Sequence, residues 1–231
     1  MYSSLHQRLR FSLVPLLLFF LLRKTTKTTR KAYLVSVNAS SARFVNSHKT
    51  LHSFGFDVVH VRPPFLGASP RAKAMSNKQG LLSALELIRR GKDRWGYIFE
   101  DDIYLHERSR ETFSELLQTE ARNEFFQYLG ICPTSVHHRE VRTCGRCTHA
   151  MGFTKSGATE ILALAKDDSF LLCTNQTPLH EPYLDVIIEE WCRKKGGFAV
   201  FGPTDAGTRA HKTHYGIFLQ DRQTFVSIIK P

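Results

Sequence analysis

Three adjacent carboxylates, Glu100, Asp101 and Asp102, close the apolar run WGYIF (residues 95–99) and are followed at once by Ile103. Like charges held this close raise one another's proton affinity unless a cation compensates them. On an extended segment side chains alternate, so Glu100 and Asp102 face the same way. Two or three hard oxygen donors in that spacing suit Mg2+ or Mn2+ and leave positions open for waters or a substrate diphosphate. A cation there would neutralise charge developing on a leaving phosphate. The plainer alternative is a solvated acidic turn paired with nearby Lys or Arg. The apolar residues on both sides, which imply partial burial, weigh against it.

The elements that must carry these acids read as alternating strands and helices. AYLVSV (32–37) reads as a buried strand. Ser40 or Ser41 can cap a helix through Phe44, His48, Leu51 and Phe54, which Gly55 stops. DVVHV (57–61) is the next strand, followed by a Pro- and Gly-rich loop over 63–75. Ser76-x-x-Gln79 then reads as a capping box opening a helix through Leu81, Leu82, Leu85 and Ile88, with Gly91 past its end. WGYIF is a third strand, with the acids at its carboxyl end. Residues 109–123 read as a polar amphipathic helix, 124–131 as a strand, 149–154 as a further strand and 155–166 as a helix. Pro182 can open a helix with the stripe Leu184, Ile187, Ile188 and Trp191, and GFAVFG (197–202) is the last strand. Such alternation predicts an α/β fold with a mainly parallel sheet, in which ligands bind beyond the carboxyl ends of strands.

The 231 residues allow one full-sized core with a leader. The net charge of +11 is unevenly spread: residues 1–31 hold seven Lys and Arg and no acid, leaving 25 basic against 21 acidic residues in the body. A mildly basic body does not predict whole-domain nucleic-acid binding. The uncharged run Phe11–Leu22 is 12 residues long, short of the roughly 17–25 of an ordinary membrane span. No Ala-x-Ala-like cleavage site follows it, so an uncleaved signal anchor is expected, joined to a basic, Thr-rich stem that ends at Lys31. More positive charge follows the run than precedes it, which opposes a cytoplasmic N-terminus; a mitochondrial presequence is the competing reading. Residues 32–231 form the expected single domain, placed on the lumenal side of an endoplasmic reticulum or Golgi membrane. Sequons at Asn38 and Asn175 agree with a secretory lumen. Of the five cysteines, Cys132, Cys144 and Cys147 read as harbouring a disulfide; zinc with His137, His138 and His149, or free buried thiols, are the alternatives.

Four segments in order carry a resemblance: YLVSVNASSARF (33–44), YIFEDDI (97–103), YLGIC with CTHAMGFTKSGATEIL (128–132 and 147–162), and HYGIFLQD (214–221). Together they resemble the glycosyltransferase family 25 group, which includes lipooligosaccharide and collagen galactosyltransferases. The resemblance spans nearly the whole body. It implies a GT-A-like α/β fold, a mainly parallel sheet flanked by helices in a Rossmann-like nucleotide-sugar-binding domain. It also implies a nucleotide-sugar donor such as UDP-galactose and Mn2+ or Mg2+ at the acidic triplet. There are two departures. Asn38-Ala39 stands where the family has Asn-Leu, and Leu82-Ser83-Ala84 stands where it has Leu-Ser-His.

By resemblance and charge, Asp102 is the expected metal ligand, supported by Glu100 and Asp101, with His214 or His211 able to complete the site. Asp185 is the candidate base toward the acceptor hydroxyl, with Glu181 as its substitute. Asp185 also reads as a helix N-terminal acid favoured by the macrodipole. Lys78, Arg62 and Arg43 are candidates to meet the diphosphate; Lys78 and Arg62 also read as solvated charges. The expected activity is transfer of a hexose, galactose first, to a glycan or protein hydroxyl. A glycan-binding or scaffolding protein with a lapsed site, and a metal-dependent nuclease or phosphoesterase, are the rivals.

Overall fold

In a computed structural model of the protein, residues 30–105, 125–130, 148–166, 183–195, 198–200 and 218–220 are described. β1 (Arg30–Val35) is buried on both faces over its last four residues, as the continuous apolar run requires. A turn capped by Ser41, whose hydroxyl accepts from the Phe44 amide, starts α1 (Ala42–Ser53). Gly55 follows its end at φ 82°, a left-handed conformation that glycine takes without strain. β2 (Phe56–Val61) leads to α2 (Pro70–Arg90) and β3 (Trp95–Glu100). A two-residue turn separates β3 from β4 (Ile103–Leu105). β5 (Phe126–Tyr128), β6 (Ala150–Thr154), α3 (Lys155–Leu164), α4 (Leu184–Lys195), β7 (Phe198–Val200) and β8 (Phe218–Gln220) complete the described elements.

Six strands form one sheet in the order β2-β1-β3-β6-β5-β7. β1 pairs in parallel with both β2 and β3, and β5 with β7. β6 runs antiparallel to β3 and β5, so it begins at the edge where they end. The sheet is therefore mainly parallel, with one reversed strand. Strand alternation sends Tyr33, Val35, Ile98, Phe126, Tyr128, Met151 and Phe153 to the core shared with α2, α3 and α4. The intervening Ala32, Leu34, Tyr97 and Phe99 face α1 and the ribbon formed by β4 and β8. Helices thus flank both faces. Trp191 of α4 donates to Glu160 of α3 at 2.9 Å and ties the two together.

The helix expected to open at Ser76 begins seven residues earlier. Ser69 caps it by accepting from the Ala72 amide, and Pro70 occupies the first turn, where a missing N–H costs nothing. Ser76 is buried inside the helix and donates to the Pro64 carbonyl. The expected end at Gly91 is where the helix caps. The ribbon of β4 and β8 was not anticipated: each strand has three residues, too few for a periodic signal.

The leader, the helix expected at 109–123 and Cys132, Cys144, Cys147 and Cys173 lie outside the described residues. Among the described residues no helix is long and apolar enough to cross a membrane. Cys192 is disulfide-bonded, a residue the sequence reading did not include in its expected pairing.

Close approach at the start of α3 depends on Gly157, where a Cβ would stand 2.5 Å from the carbonyl oxygen of Phe125. That oxygen also accepts the Thr154 amide at 3.1 Å, so it cannot retreat freely. Gly157→Ala is expected to destabilise the fold by about 1–3 kcal/mol through overpacking. A urea midpoint equal to that of the wild type would contradict this packing.

Candidate active site

Sheet register sets what surrounds the acids. Val35 of β1 pairs with Glu100, which brings Ser36 beside Asp101. The Ser36 hydroxyl donates to Asp101 Oδ2 at 2.5 Å. Ser36 is itself held by its amide, which donates to the Val61 carbonyl, while His60 Nε2 meets the Ser36 carbonyl at 2.8 Å. Arg43, in the first turn of α1, reaches the same edge. Its guanidinium lies 2.9 Å from Asp101 Oδ1 and 3.2 Å from Asp102 Oδ2. Part of the positive charge demanded by the triplet is therefore supplied from within the chain. Arg43, expected toward a diphosphate, stands directly on the acids.

Glu100 belongs to the opposite face of β3, on the α2 side. Asn77 of α2 donates to its Oε1 at 3.2 Å, and Thr148, just before β6, donates to the same oxygen at 2.5 Å. α2 can carry Asn77 there because Gly80 lets the helix pass close to β1: a Cβ at Gly80 would meet Val35 at 2.9 Å and Pro63 at 3.0 Å. Burial and the charge of Asp102 raise the Glu100 carboxyl to about 7, against the two hydrogen bonds, which favour ionisation. The shared orientation expected of Glu100 and Asp102 assumed an extended segment, but Asp101 and Asp102 form a turn, and Asp102 meets Arg43 beside Asp101 while Glu100 faces α2. Asp102 is 5% exposed.

Other candidates converge in part. Asp185 lies in the first turn of α4 and bears electrostatically on Tyr128, as Glu100 does. Lys78 follows Asn77 on α2 and is half-buried; Arg62 is exposed immediately after β2. Glu181, His211 and His214 lie outside the described residues. His149 is a buried core residue whose Nε2 meets the Phe218 carbonyl at 3.1 Å. Ala84, where the resembled family has histidine, is fully buried against the sheet. Among the described residues no group of three or more His, Cys, Asp or Glu is arranged to hold a metal ion. Four residues escaped the sequence reading: Ser36, Asn77, Tyr128 and Thr148. Ser36 and Tyr128 were concealed inside strand patterns, Asn77 inside the supposed capping box, and Thr148 beside a cysteine motif.

No protein-family model matches the chain, and no curated protein matches it. Among solved structures it is similar to a glycosyltransferase involved in the glycosylation of the major capsid of PBCV-1. Identity is 12%, coverage 85% of this chain and 94% of that one, and the TM-score 0.52. The fold is of the GT-A type. The glycosyltransferase GlyE of Streptococcus pneumoniae TIGR4 aligns at 9% identity over 74% of this chain and 45% of that one, TM-score 0.44. Mouse xyloside xylosyltransferase 1 aligns at 12% identity over 84% of each chain, TM-score 0.41. In this GT-A sheet the acids occupy the carboxyl edge of the central parallel strand β3, where open α/β sheets bind ligands.

Glu100 makes stability pH-dependent. Between about pH 4.5 and 7 the unfolded chain ionises this group while the folded chain keeps its proton. Its contribution therefore falls as pH rises, by roughly 3 kcal/mol in all, and is constant above pH 7. Urea unfolding with a chelator present is expected to show this decline in the wild type and to lose it in Glu100→Gln. Arg43→Ala, which strips a partly buried cation from two acids, is expected to destabilise by about 3 kcal/mol; an unchanged midpoint would mean that solvent screens the pair.

Proposed function

We propose that the protein is a glycosyltransferase that moves a hexose from a nucleotide sugar to a hydroxyl of a glycan or protein. The observation that supports this most is the buried acidic triplet, Glu100, Asp101 and Asp102, at the carboxyl edge of β3 in a GT-A sheet. The donor chemistry suits Mn2+ or Mg2+: the side chains are carboxylates with hard oxygens, and the high proton affinity of Glu100 marks a place that gains from added positive charge. Asp102 and Glu100 would hold the cation, with Asp101 fixed behind them by Ser36 and Arg43. Bound there, the cation would supply charge neutralisation for the departing nucleoside diphosphate.

The chain's own residues then divide the remaining work. Arg62 and Lys78 lend positive charge to the diphosphate end, while Arg43 holds Asp101 and Asp102 in place. Asp185, at the amino end of α4, accepts the proton of the acceptor hydroxyl, with Glu181 as its substitute. His214 or His211 completes the metal or phosphate site. UDP-galactose is the first donor to try. The apolar run in the leader anchors a lumenal catalytic domain in an endoplasmic reticulum or Golgi membrane, with a mitochondrial address as the alternative.

One observation favours a second reading. Arg43 already compensates both Asp101 and Asp102, as a lapsed site that binds glycans without turnover would allow. A thermal-shift panel of nucleotide sugars with and without Mn2+ separates the two. Metal-dependent stabilisation by a UDP-hexose, lost in Asp102→Asn, together with hydrolysis or transfer, is the outcome expected of the enzyme. Sugar binding without turnover would select the second reading. No metal-dependent nucleotide-sugar binding, with Asp102→Asn indistinguishable from wild type, would overturn the transferase.

A further inference from the structure

Tyr128 closes β5 on the same face of the sheet as Glu100. It is 3% exposed, and among the described residues its hydroxyl has no hydrogen-bond partner. Buried polar groups are nearly always paired, so an orphan at a ligand-binding edge calls for a partner. Its surroundings define what that partner can be. His149 packs at right angles to the phenol ring, with centroids 6.3 Å apart. Two carboxylates border the same core: Glu100 ends β3 on the face of Ile98, and Asp185 follows Leu184 in the first turn of α4. A phenol is neutral near pH 7 and remains a donor.

An ionised carboxylate only accepts hydrogen bonds, whereas a neutral phenol can donate one. A phosphate oxygen would accept from Tyr128 but would be repelled by the two carboxylates. A cation would satisfy the carboxylates but offer the phenol proton nothing. A neutral hydroxyl does both: it accepts from Tyr128 and donates to a carboxylate. Sugars present such hydroxyls in number.

We propose that Tyr128, flanked by Asp185 and Glu100, forms a subsite for a neutral sugar hydroxyl and grips the hexose that is transferred. This rests on the nucleotide-sugar reading, and it places the sugar between the metal platform at Glu100 and the candidate base at Asp185. Tyr128 is here a substrate-binding residue and takes no proton.

Tyr128→Phe removes one oxygen and leaves the ring. Calorimetry with Mn2+ compares UDP with UDP-galactose and UDP-glucose, and saturation-transfer NMR reads methyl hexosides alone. The variant is expected to bind UDP as the wild type does, and to bind a UDP-hexose about three- to tenfold more weakly, the equilibrium worth of one hydrogen bond. Without ligand its Tm is expected to rise by about 2 °C, because a buried orphan hydroxyl has been removed. Equal affinity of both proteins for every hexose ligand would overturn the subsite while leaving the transferase intact. So would an equal loss for UDP and UDP-hexose, or a lowered Tm with unchanged sugar binding, which would show that a water satisfies the hydroxyl. If the wild type binds no nucleotide, the nucleotide-sugar reading fails instead. The methyl hexosides then decide: Tyr128-dependent binding supports the subsite, and its absence overturns it.

Discussion

Three carboxylates at the end of a buried central strand set the terms for everything near them. Each needs compensation, and the groups that supply it come from several elements. Arg43 of α1 meets Asp101 and Asp102, Ser36 at the end of β1 meets Asp101, and Asn77 of α2 with Thr148 before β6 meets Glu100. Two helices and two strands are therefore tied to one edge of the sheet by the charge on β3. Neutral donors at Glu100 leave its charge only partly answered, which is why its proton affinity stays high. A guanidinium at Asp101 and Asp102 does more, and makes that half of the triplet a fixed support.

This division makes the edge asymmetric. On the α1 face the acids are held by an internal cation. On the α2 face lie a proton-hungry carboxyl and a phenol without a partner among the described residues, and Asp185 belongs to the first turn of α4, which packs on that face. The second face is where the chain has unspent capacity for a cation and for hydroxyl groups, as a nucleotide-sugar site would require. The GT-A sheet supplies the geometry through its one reversed strand: β6 starts where β3 and β5 end, and so brings Thr148 and His149 to the same edge.

Much of this frame was legible in the chain. The strands at β1, β2 and β3, a serine cap at Ser40 or Ser41, the stop at Gly55 and the helix end at Gly91 are local signals of hydrophobic period and backbone preference; the strands are legible to within two residues, with β1 at Arg30–Val35 against the expected 32–37. The start of α2 was misread because two serines compete for it. Ser76-x-x-Gln79 has the form of a capping box, but Ser69 precedes a proline, and proline in the first helical turn outweighs the box. Ser76 could be inside the helix because Pro64 accepts its hydroxyl proton, a contact no local pattern reveals. The ribbon of β4 and β8 joins residues more than a hundred positions apart, and its strands are too short to show a period.

By itself the sequence determined the α/β alternation and the acidic triplet at a strand end. Both follow from spacing along one chain, because side-chain direction repeats with the backbone. Only the tertiary structure decided which partners each acid meets, that Arg43 is spent on Asp101 and Asp102, and that Tyr128 shares a core bordered by two carboxylates. Those depend on strand order and on where α1, α2 and α4 cross the sheet. Such long-range placement comes from packing two cores at once, and the residues it brings together carry no mark of one another in the sequence.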